Sequence, residues 1–385
     1  MTFKGHRRPD GKVGIRNHVL VLPTSVCAAQ VAAEIARGVP GCVATCHAFG
    51  CCQVGADARL TFRTLLHTAA NPNVGGIVVV GLGCEGLEPL AMIQAIEGLG
   101  KPATGVIIQQ EGGTVRAMAH GQAIARAMAE QLATQSREEA DVSTLILGLE
   151  CGGSDATSGL AANPALGIAS DRLIAQGGTC LLSETTESIG AEHVLARRAV
   201  NDDVRRRLLE IVRACEERAL RSGQDLRGSQ PTPGNIAGGI SSLEEKSLGC
   251  VHKAGSAPIQ EVLDYAEIPS GTGLYVMDTP GQDVESMSGL AAGGAQVMVF
   301  TTGSGTPAGN PVMPVIKITA NRRTAERMAD NIDLDLSGVI EGTLTLEQAA
   351  ARILDEIQFV ANGKLTKAER LGHNEFSIYR VGPTF

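Results

Sequence analysis

Hydrophobic residues along this chain come in short unbroken runs, most of them closed by glycine, proline or a small polar residue. Such runs occur at His18 to Leu22, Ile77 to Val80, Gly105 to Gln109, Leu145 to Leu149, Thr179 to Leu182, Leu274 to Met277, Val297 to Thr301 and Val315 to Thr319, with another short one from Cys42 to Cys46. An apolar run of this length reads as a buried parallel strand, because alternation is needed only where one face meets water. Between the runs lie stretches of helical composition: Ala28 to Arg37, Asp57 to Ala69, Thr114 to about Gln135, a helix through about Ala175, Asn201 to Arg221, Arg323 to Asn331 and Leu346 to Val360. Strands alternating with helices predict an α/β architecture. The polar stretch Gln135-Ser136-Arg137-Glu138-Glu139 divides it into a doubly wound domain over 1–135 and a second α/β domain over 136–385. Gly159 to Asn163 reads as a loop, and Ser241 or Ser242 as the cap of a following helix, with Glu244 or Glu245 reaching back in a capping box.

Two of the runs end alike. Ile77-Val78-Val79-Val80 runs into Gly81-Leu82-Gly83-Cys84-Glu85, and Leu145-Ile146-Leu147-Gly148-Leu149 runs into Glu150-Cys151-Gly152-Gly153-Ser154-Asp155. Residues beyond the carboxyl end of a parallel strand sit where open α/β sheets bind ligands. Cysteine is also among the most buried residue types. Two thiols at matching places, each beside a carboxylate, favour a shared crevice over coincidental packing.

The chain has 47 glycines without a collagen period, which suits tight loops and close backbone approach to ligands. Its formal charge is -8 and no basic block occurs, which argues against nucleic acid. No apolar run reaches the roughly 18–20 residues of a membrane span, and no apolar segment follows the basic N-terminal residues. A soluble cytoplasmic protein is expected. Ten cysteines in a chain of this kind point to metal or redox chemistry rather than a disulfide framework. Cys180 and Cys215 read as core.

The loop His47-Ala48-Phe49-Gly50-Cys51-Cys52 also follows a strand, so His47, Cys51, Cys84, Glu85 and Cys151 could assemble a soft transition-metal site. No zinc-ribbon spacing is present. Gly152-Gly153-Ser154-Asp155 and Gly303-Ser304-Gly305-Thr306 match neither the P-loop nor the dinucleotide fingerprint, but can cradle an anion. Arg16, Lys246, Lys253 and Lys317 are available cations, though a lone lysine is more often a solvated surface residue. Glu184, Glu187 and Asp155 could act as acid, base or hard ligand; for Glu187 a solvated loop is the better reading. His373 either docks the tail or contributes to a site.

These pieces carry a family resemblance. Arg8-Pro9-Asp10-Gly11-Lys12-Val13-Gly14-Ile15-Arg16-Asn17, Asn71-Pro72-Asn73-Val74-Gly75, Gly81-Leu82-Gly83-Cys84-Glu85 and Cys151-Gly152-Gly153-Ser154-Asp155 match, in order, motifs of the altronate/galactarate dehydratase family. So do Ala162-Asn163-Pro164-Ala165, Glu244-Glu245-Lys246-Ser247-Leu248-Gly249 and Leu371-Gly372-His373-Asn374-Glu375-Phe376. The resemblance spans nearly the whole chain and is specific for the family, not for the substrate. It implies a first α/β domain used in dimerisation, so a homodimer or higher, and an unusual Rossmann-like second domain. It implies a lyase removing water across C2–C3 of a sugar acid to give a 2-keto-3-deoxy acid, with iron as Fe2+ or an iron–sulfur cluster. Sulfolactate sulfo-lyase, releasing sulfite and pyruvate, is the alternative among enzymes; a non-catalytic anion-binding subunit is the alternative outside them. On that footing Cys51, Cys84 and Cys151 are expected to hold the metal, with their sulfurs within a few ångströms of one point in the interdomain crevice. Lys246, Lys253, Glu85 and His47 are the catalytic candidates, either lysine serving as the C2 base if its pKa is lowered. Arg16, Asn17, Ser154, Asp155, Asn163, Glu184 and Thr301 are the substrate-binding candidates. Longer relatives begin with a small β-rich domain, which suggests a separate small subunit here. Where several relatives carry His-x-His-Gly-Cys, Phe49 replaces the second imidazole and marks a less polar substrate end.

Overall fold

The computed structural model describes residues 1–385, and in it the apolar runs form parallel strands. Val74–Gly81, buried at every position, lies between His18–Pro23 and Ala103–Ile107, with Cys42–Ala44 at the edge. A strand with no exposed side needs cover on both faces. Val19, Val21, Val78 and Val80 pack against Ala28, Ile35, Ala117 and Ala125 of the helices Val26–Arg37 and Thr114–Ala133. Leu20, Leu22, Ile77 and Val79 face the other way, onto Leu65, Ala69, Met92 and Ile96 of Gly55–Ala70 and Pro89–Gly98.

The second sheet has seven parallel strands, in the spatial order Ile259–Leu263, Gly273–Met277, Thr179–Leu182, Ile146–Gly152, Val297–Thr302, Val315–Thr319 and Leu334–Asp335. Strands following Ile146–Gly152 are laid down first on one side of it and then on the other. The strand order therefore reverses around Ile146–Gly152, which places a crevice beyond its carboxyl end. Helices Asn163–Ala175 and Leu346–Ala361 cover one face, and Asp283–Ala292 the other. The last helix also shares its apolar cluster with Leu65 and Ala69 of the first sheet's cover, so the two sheets rest on one continuous core.

Several elements departed from expectation. Part of the predicted dividing stretch is a strand, Glu138–Asp141, which pairs antiparallel with Thr2–Arg7; Val13–Gly14 completes a three-stranded sheet. Its residues carry no apolar signal because the pairing, not burial of both faces, makes the strand. Gly159 to Asn163 is not a loop but a π-helical turn, Ser158–Ala162, running directly into the helix Asn163–Ala175.

Arg16 and Asn17 belong to the frame rather than to a ligand site. The Arg16 guanidinium is buried, donates to both carboxylate oxygens of Glu369 at 2.7 and 2.9 Å, and also to the carbonyls of Val360 and Lys364. Asn17 Oδ1 accepts from Arg8 Nη1 while its amide donates to the Leu132 carbonyl. These bonds tie the N-terminal segment to the C-terminal helices, and no part of Arg16 remains for a substrate anion.

Candidate active site

The strand Ile146–Gly152 delivers Cys151 to the crevice, and the neighbouring strand Thr179–Leu182 delivers Ser183 and Glu184. Glu184 has φ +66°, a left-handed conformation uncommon for a residue with a side chain; it is fixed by its own N–H donating to Thr279 Oγ1 at 2.6 Å. Ser242 caps the helix Leu243–Val251 as expected, although Glu245 reaches back to Ser241 rather than to the cap. That helix brings in Cys250, and the turn His252–Ala254 brings in Lys253. The turn lies so close to the helix Asn163–Ala175 that a Cβ on Gly167 would sit 2.1 Å from the His252 carbonyl oxygen. The close approach lets Ser170 Oγ donate to the Lys253 carbonyl at 3.0 Å.

Lys253 is fully buried. Its Nζ donates to Glu184 Oε2 at 2.6 Å, Cys250 Sγ at 2.9 Å and Cys151 Sγ at 3.2 Å, and the two sulfurs lie 3.4 Å apart. Three N–H donors meet three acceptors, so the ammonium is saturated. Burial works against its charge, but Cys151, Cys250 and Glu184 together outweigh burial and hold the pKa well above the usual lysine value. Glu184 Oε2 accepts in addition from the Cys151 N–H, at 3.0 Å.

A cavity of about 290 Å³ opens beside this cluster, walled by Cys151, Gly152, Gly153, Ser154, Glu187, Lys246 and Asp283 among others. Lys246 Nζ lies 2.8 Å from Glu187 Oε1 and donates to Gln230 Oε1 at 3.1 Å. Burial opposes its charge, and Glu187 more than restores it, so this pKa too is raised. Neither lysine has the lowered pKa that a C2 base requires: both are fixed cations. Glu187, expected in solvent, is instead buried on the cavity wall; burial and then the Glu184 charge raise its pKa, and its Oε2 has no hydrogen-bond partner. Asp283 is pushed up to about 7 by burial and by the charges of Glu184 and Glu187. Gly152 is what allows Asp283 so near, since a Cβ there would sit 2.6 Å from its carboxylate.

Of the other predicted residues, Ser154 lines the cavity. Asp155 accepts from Ser158 and Asn321 and locks its own loop, and Asn163 Oδ1 accepts from Thr301 Oγ1 at 2.6 Å beneath it. Lys317 is fully buried, donating to the carbonyls of Pro307 and Ala308, and does not reach the cavity. In the first domain, His47 bonds the Pro23 carbonyl through Nε2, and Glu85 accepts from Thr24 and from the N–H groups of Leu82 and Gly83. Both shape the ends of that sheet. Cys250, Glu150 and Asp283 have no role in the sequence reading, which names Glu187 but favours solvent for it; Glu150 is adjacent to a motif cysteine, but Cys250 and Asp283 lie in segments that give no strand-end signal.

The three predicted metal sulfurs do not meet within the chain. Cys151 pairs with Cys250, Cys84 accepts from Gln109 Nε2, and Cys51 contacts Cys52; the side chains that converge closely enough for one ion are Cys151, Glu184 and Cys250, and Glu150, Glu184 and Asp283. The strand ends carrying Cys84 and Cys151 belong to different sheets, and matching sequence placement does not bring them together. In the first convergent set the cation is Lys253 itself. The second fits a metal: Glu150 accepts from Ser183 and Ser286 on Oε2, whereas its buried Oε1 is unpaired. An orphaned carboxylate oxygen beside two more carboxylates is what a divalent cation satisfies.

Comparison with known proteins decides the family. Residues 142–384 match the family described as D-galactarate/Altronate dehydratase, C-terminal, and residues 5–133 match D-galactarate dehydratase/Altronate hydrolase, second domain. The chain belongs to the altronate/galactarate dehydratase family. It is 42% identical to the (2R)-sulfolactate sulfo-lyase subunit beta of Chromohalobacter salexigens, over 99% of this chain and 97% of that protein. It is 36% identical to the altronate dehydratase of Bacillus subtilis, over 100% of this chain and 78% of that protein. It is also 36% identical to the galactarate dehydratase (L-threo-forming) of Escherichia coli, over 99% and 77%. The family is thus one of lyases. No helix of the chain is long and apolar enough to cross a membrane. Within this dehydratase-family fold the motifs divide by role: Arg8 to Asn17 braces the frame, while Cys151 to Ser154 and Lys246 form the cavity wall.

Proposed function

We propose that the chain is a hydro-lyase that eliminates water across C2–C3 of a small sugar acid, yielding a 2-keto-3-deoxy acid. The observation that carries this is the cavity beyond the switch point, where a fixed cation, Lys246, stands 2.8 Å from a carboxylate with a free oxygen, Glu187. Lys246 would bind the substrate carboxylate and orient C2. Glu187 Oε2, free of partners and with a raised pKa, would take the C2 proton; a carboxylate of raised pKa is a stronger base than an ordinary one. Lys253, its three donors already engaged, would hold the Cys151 wall and Glu184 in place. Iron or another divalent ion, held by Glu150, Glu184 and Asp283, would supply Lewis-acid help to the departing hydroxyl.

A second reading has its own support: the sulfolactate sulfo-lyase subunit beta matches the chain end to end. That name also supports assembly with a second, separate subunit. The test is a parallel assay of anaerobically prepared protein, with and without iron, on altronate, galactarate and sulfolactate. A 2-keto-3-deoxy acid supports the hydro-lyase, sulfite supports the alternative, and neither product from iron-loaded protein together with its partner subunit refutes both.

A further inference from the structure

We propose that Cys151 and Cys250 form a peroxide-responsive thiol pair which closes reversibly to a disulfide at the wall of the cavity. The pair is built, not incidental. The two sulfurs come from different elements, a strand end and a helix, yet lie 3.4 Å apart; reaching the ~2.05 Å of a disulfide takes an approach of only about 1.3 Å. Both are free thiols. The ammonium of Lys253 donates to both sulfurs and so holds the two thiols side by side.

The geometry also assigns the order of events. Cys151 is part of the cavity wall and Cys250 is not, so a small oxidant that enters the cavity meets Cys151. Its sulfur attacks one peroxide oxygen; the S–O bond forms, the O–O bond breaks, and the second oxygen leaves as water with the thiol proton. Cys250 then attacks the sulfenic sulfur, the S–S bond forms, and the S–O bond breaks to release a second water with the remaining thiol proton. Two thiols are oxidised, one hydrogen peroxide is reduced, and no further reactant is needed. Lys253 then faces a disulfide in place of two thiols and loses two of its three partners. The Cys151 wall and the Glu184 carboxylate depend on that ammonium, so oxidation alters the cavity. Other thiols compete: Cys51 and Cys52 contact each other at 3.7 Å in an accessible loop. Their pairing stands apart from the cavity.

The inference does not depend on which substrate the enzyme takes, because its readouts are chemical. Folded C51S/C52S protein is exposed to millimolar hydrogen peroxide, quenched with an alkylating agent and digested without reduction. The expected result is a loss of about 2 Da without alkylation at either position, a peptide joining Cys151 to Cys250, and reversal by dithiothreitol. In C250S the joined peptide should vanish, and Cys151 should instead gain about 32 Da as a sulfinic acid that dithiothreitol does not reverse. Cys151 and Cys250 both remaining alkylatable after peroxide, or Cys151 pairing with another thiol, would overturn the proposal. Should C250S fail to fold, the peptide map of the C51S/C52S protein decides the question alone.

Discussion

Lys253→Met isolates the charge at the centre of the site. Methionine keeps much of the lysine stem's volume and removes only the ammonium, so the core around it changes little. What remains is Glu184, 1% exposed and formerly 2.6 Å from that ammonium, now a buried carboxylate facing two sulfurs. Breaking a buried pair from one side costs about 3–5 kcal/mol, because the surviving charge is neither solvated nor compensated. Adding Glu184→Gln removes that charge and keeps an acceptor for the Cys151 N–H, so the double variant should regain about 2 kcal/mol or more of the loss. Urea unfolding reads this, followed by circular dichroism and, since the chain has no tryptophan, by tyrosine emission. Tyr265, fully buried beside the continuous core, is a suitable reporter. If the single variant lies within about 1 kcal/mol of the parent, or the double variant is no more stable than the single, the ammonium is not the charge that holds the cluster.

Acid sensitivity follows from two desolvated imidazoles, the part-buried His18 and the buried His47. His18 and His47 are both lowered to about 4 by burial, with Arg16 adding to the effect at His18, so each contributes stability above pH ~6.5 that is lost as pH falls through about 4. Asp283, raised to about 7, works the other way over this range, so the test is a difference: the Tm of the parent relative to His47→Gln should fall from pH 7 to 4.5, and a constant difference would remove that account. Lys246→Met should raise KM for the acid substrate by at least about tenfold, whereas Glu187→Gln should leave KM within a few fold and lower kcat by about 10²–10⁴. Equal effects of the two on KM alone would place Glu187 in binding rather than proton transfer. Arg16→Lys forfeits the bidentate grip on Glu369 and should cost about 2–3 kcal/mol without moving KM; a KM change in folded protein would return Arg16 to the substrate site. Cys84→Ser, at an exposed position, should shift stability by less than about 0.5 kcal/mol and leave turnover near that of the parent. Loss of iron and turnover together in that variant would restore a sulfur site.

What could be read from the sequence was what is local. The strands Val74–Gly81 and Ile146–Gly152 are legible because both faces are buried, so apolar residues and glycines run without polar alternation, in the second strand as far as Glu150. The strand Glu138–Asp141 gave no such sign, since it exists by pairing with Thr2–Arg7. The same divide runs through the site. Cys151, Ser154, Glu184, Lys246 and Lys253 were named because each follows a strand or sits in a glycine-bounded motif. Cys250 lay inside a helix, Asp283 opened a helix of small residues, and nothing in their neighbours told that a seven-stranded sheet would fold them onto Cys151 and Glu150. The Cys51–Cys84–Cys151 set failed for the converse reason: likeness of local context says nothing about which sheet a strand joins.

The charge at the site has a consequence for how it binds. Glu150, Glu184, Glu187 and Asp283 stand together against two lysines, Lys246 and Lys253, each already committed to one of those carboxylates. Crowding shows in the acids themselves: burial, reinforced by neighbouring carboxylates, raises Glu150, Glu187 and Asp283 alike. A hydroxy-acid anion approaching such a wall meets repulsion at every carboxylate that remains ionised. A divalent cation at Glu150, Glu184 and Asp283 would relieve both strains at once, favouring the ionised forms of Glu150 and Asp283 and making the potential that the substrate meets less negative. Cation and acid should therefore each bind more tightly in the presence of the other, by the same factor. The Lys253 cluster cannot take over that role, because its ammonium has no free donor left. On the proposed mechanism the two lysines and the three-carboxylate set would thus do different work: Lys253 would hold the wall, Lys246 would receive the acid, and the carboxylates would set the condition under which the acid is admitted.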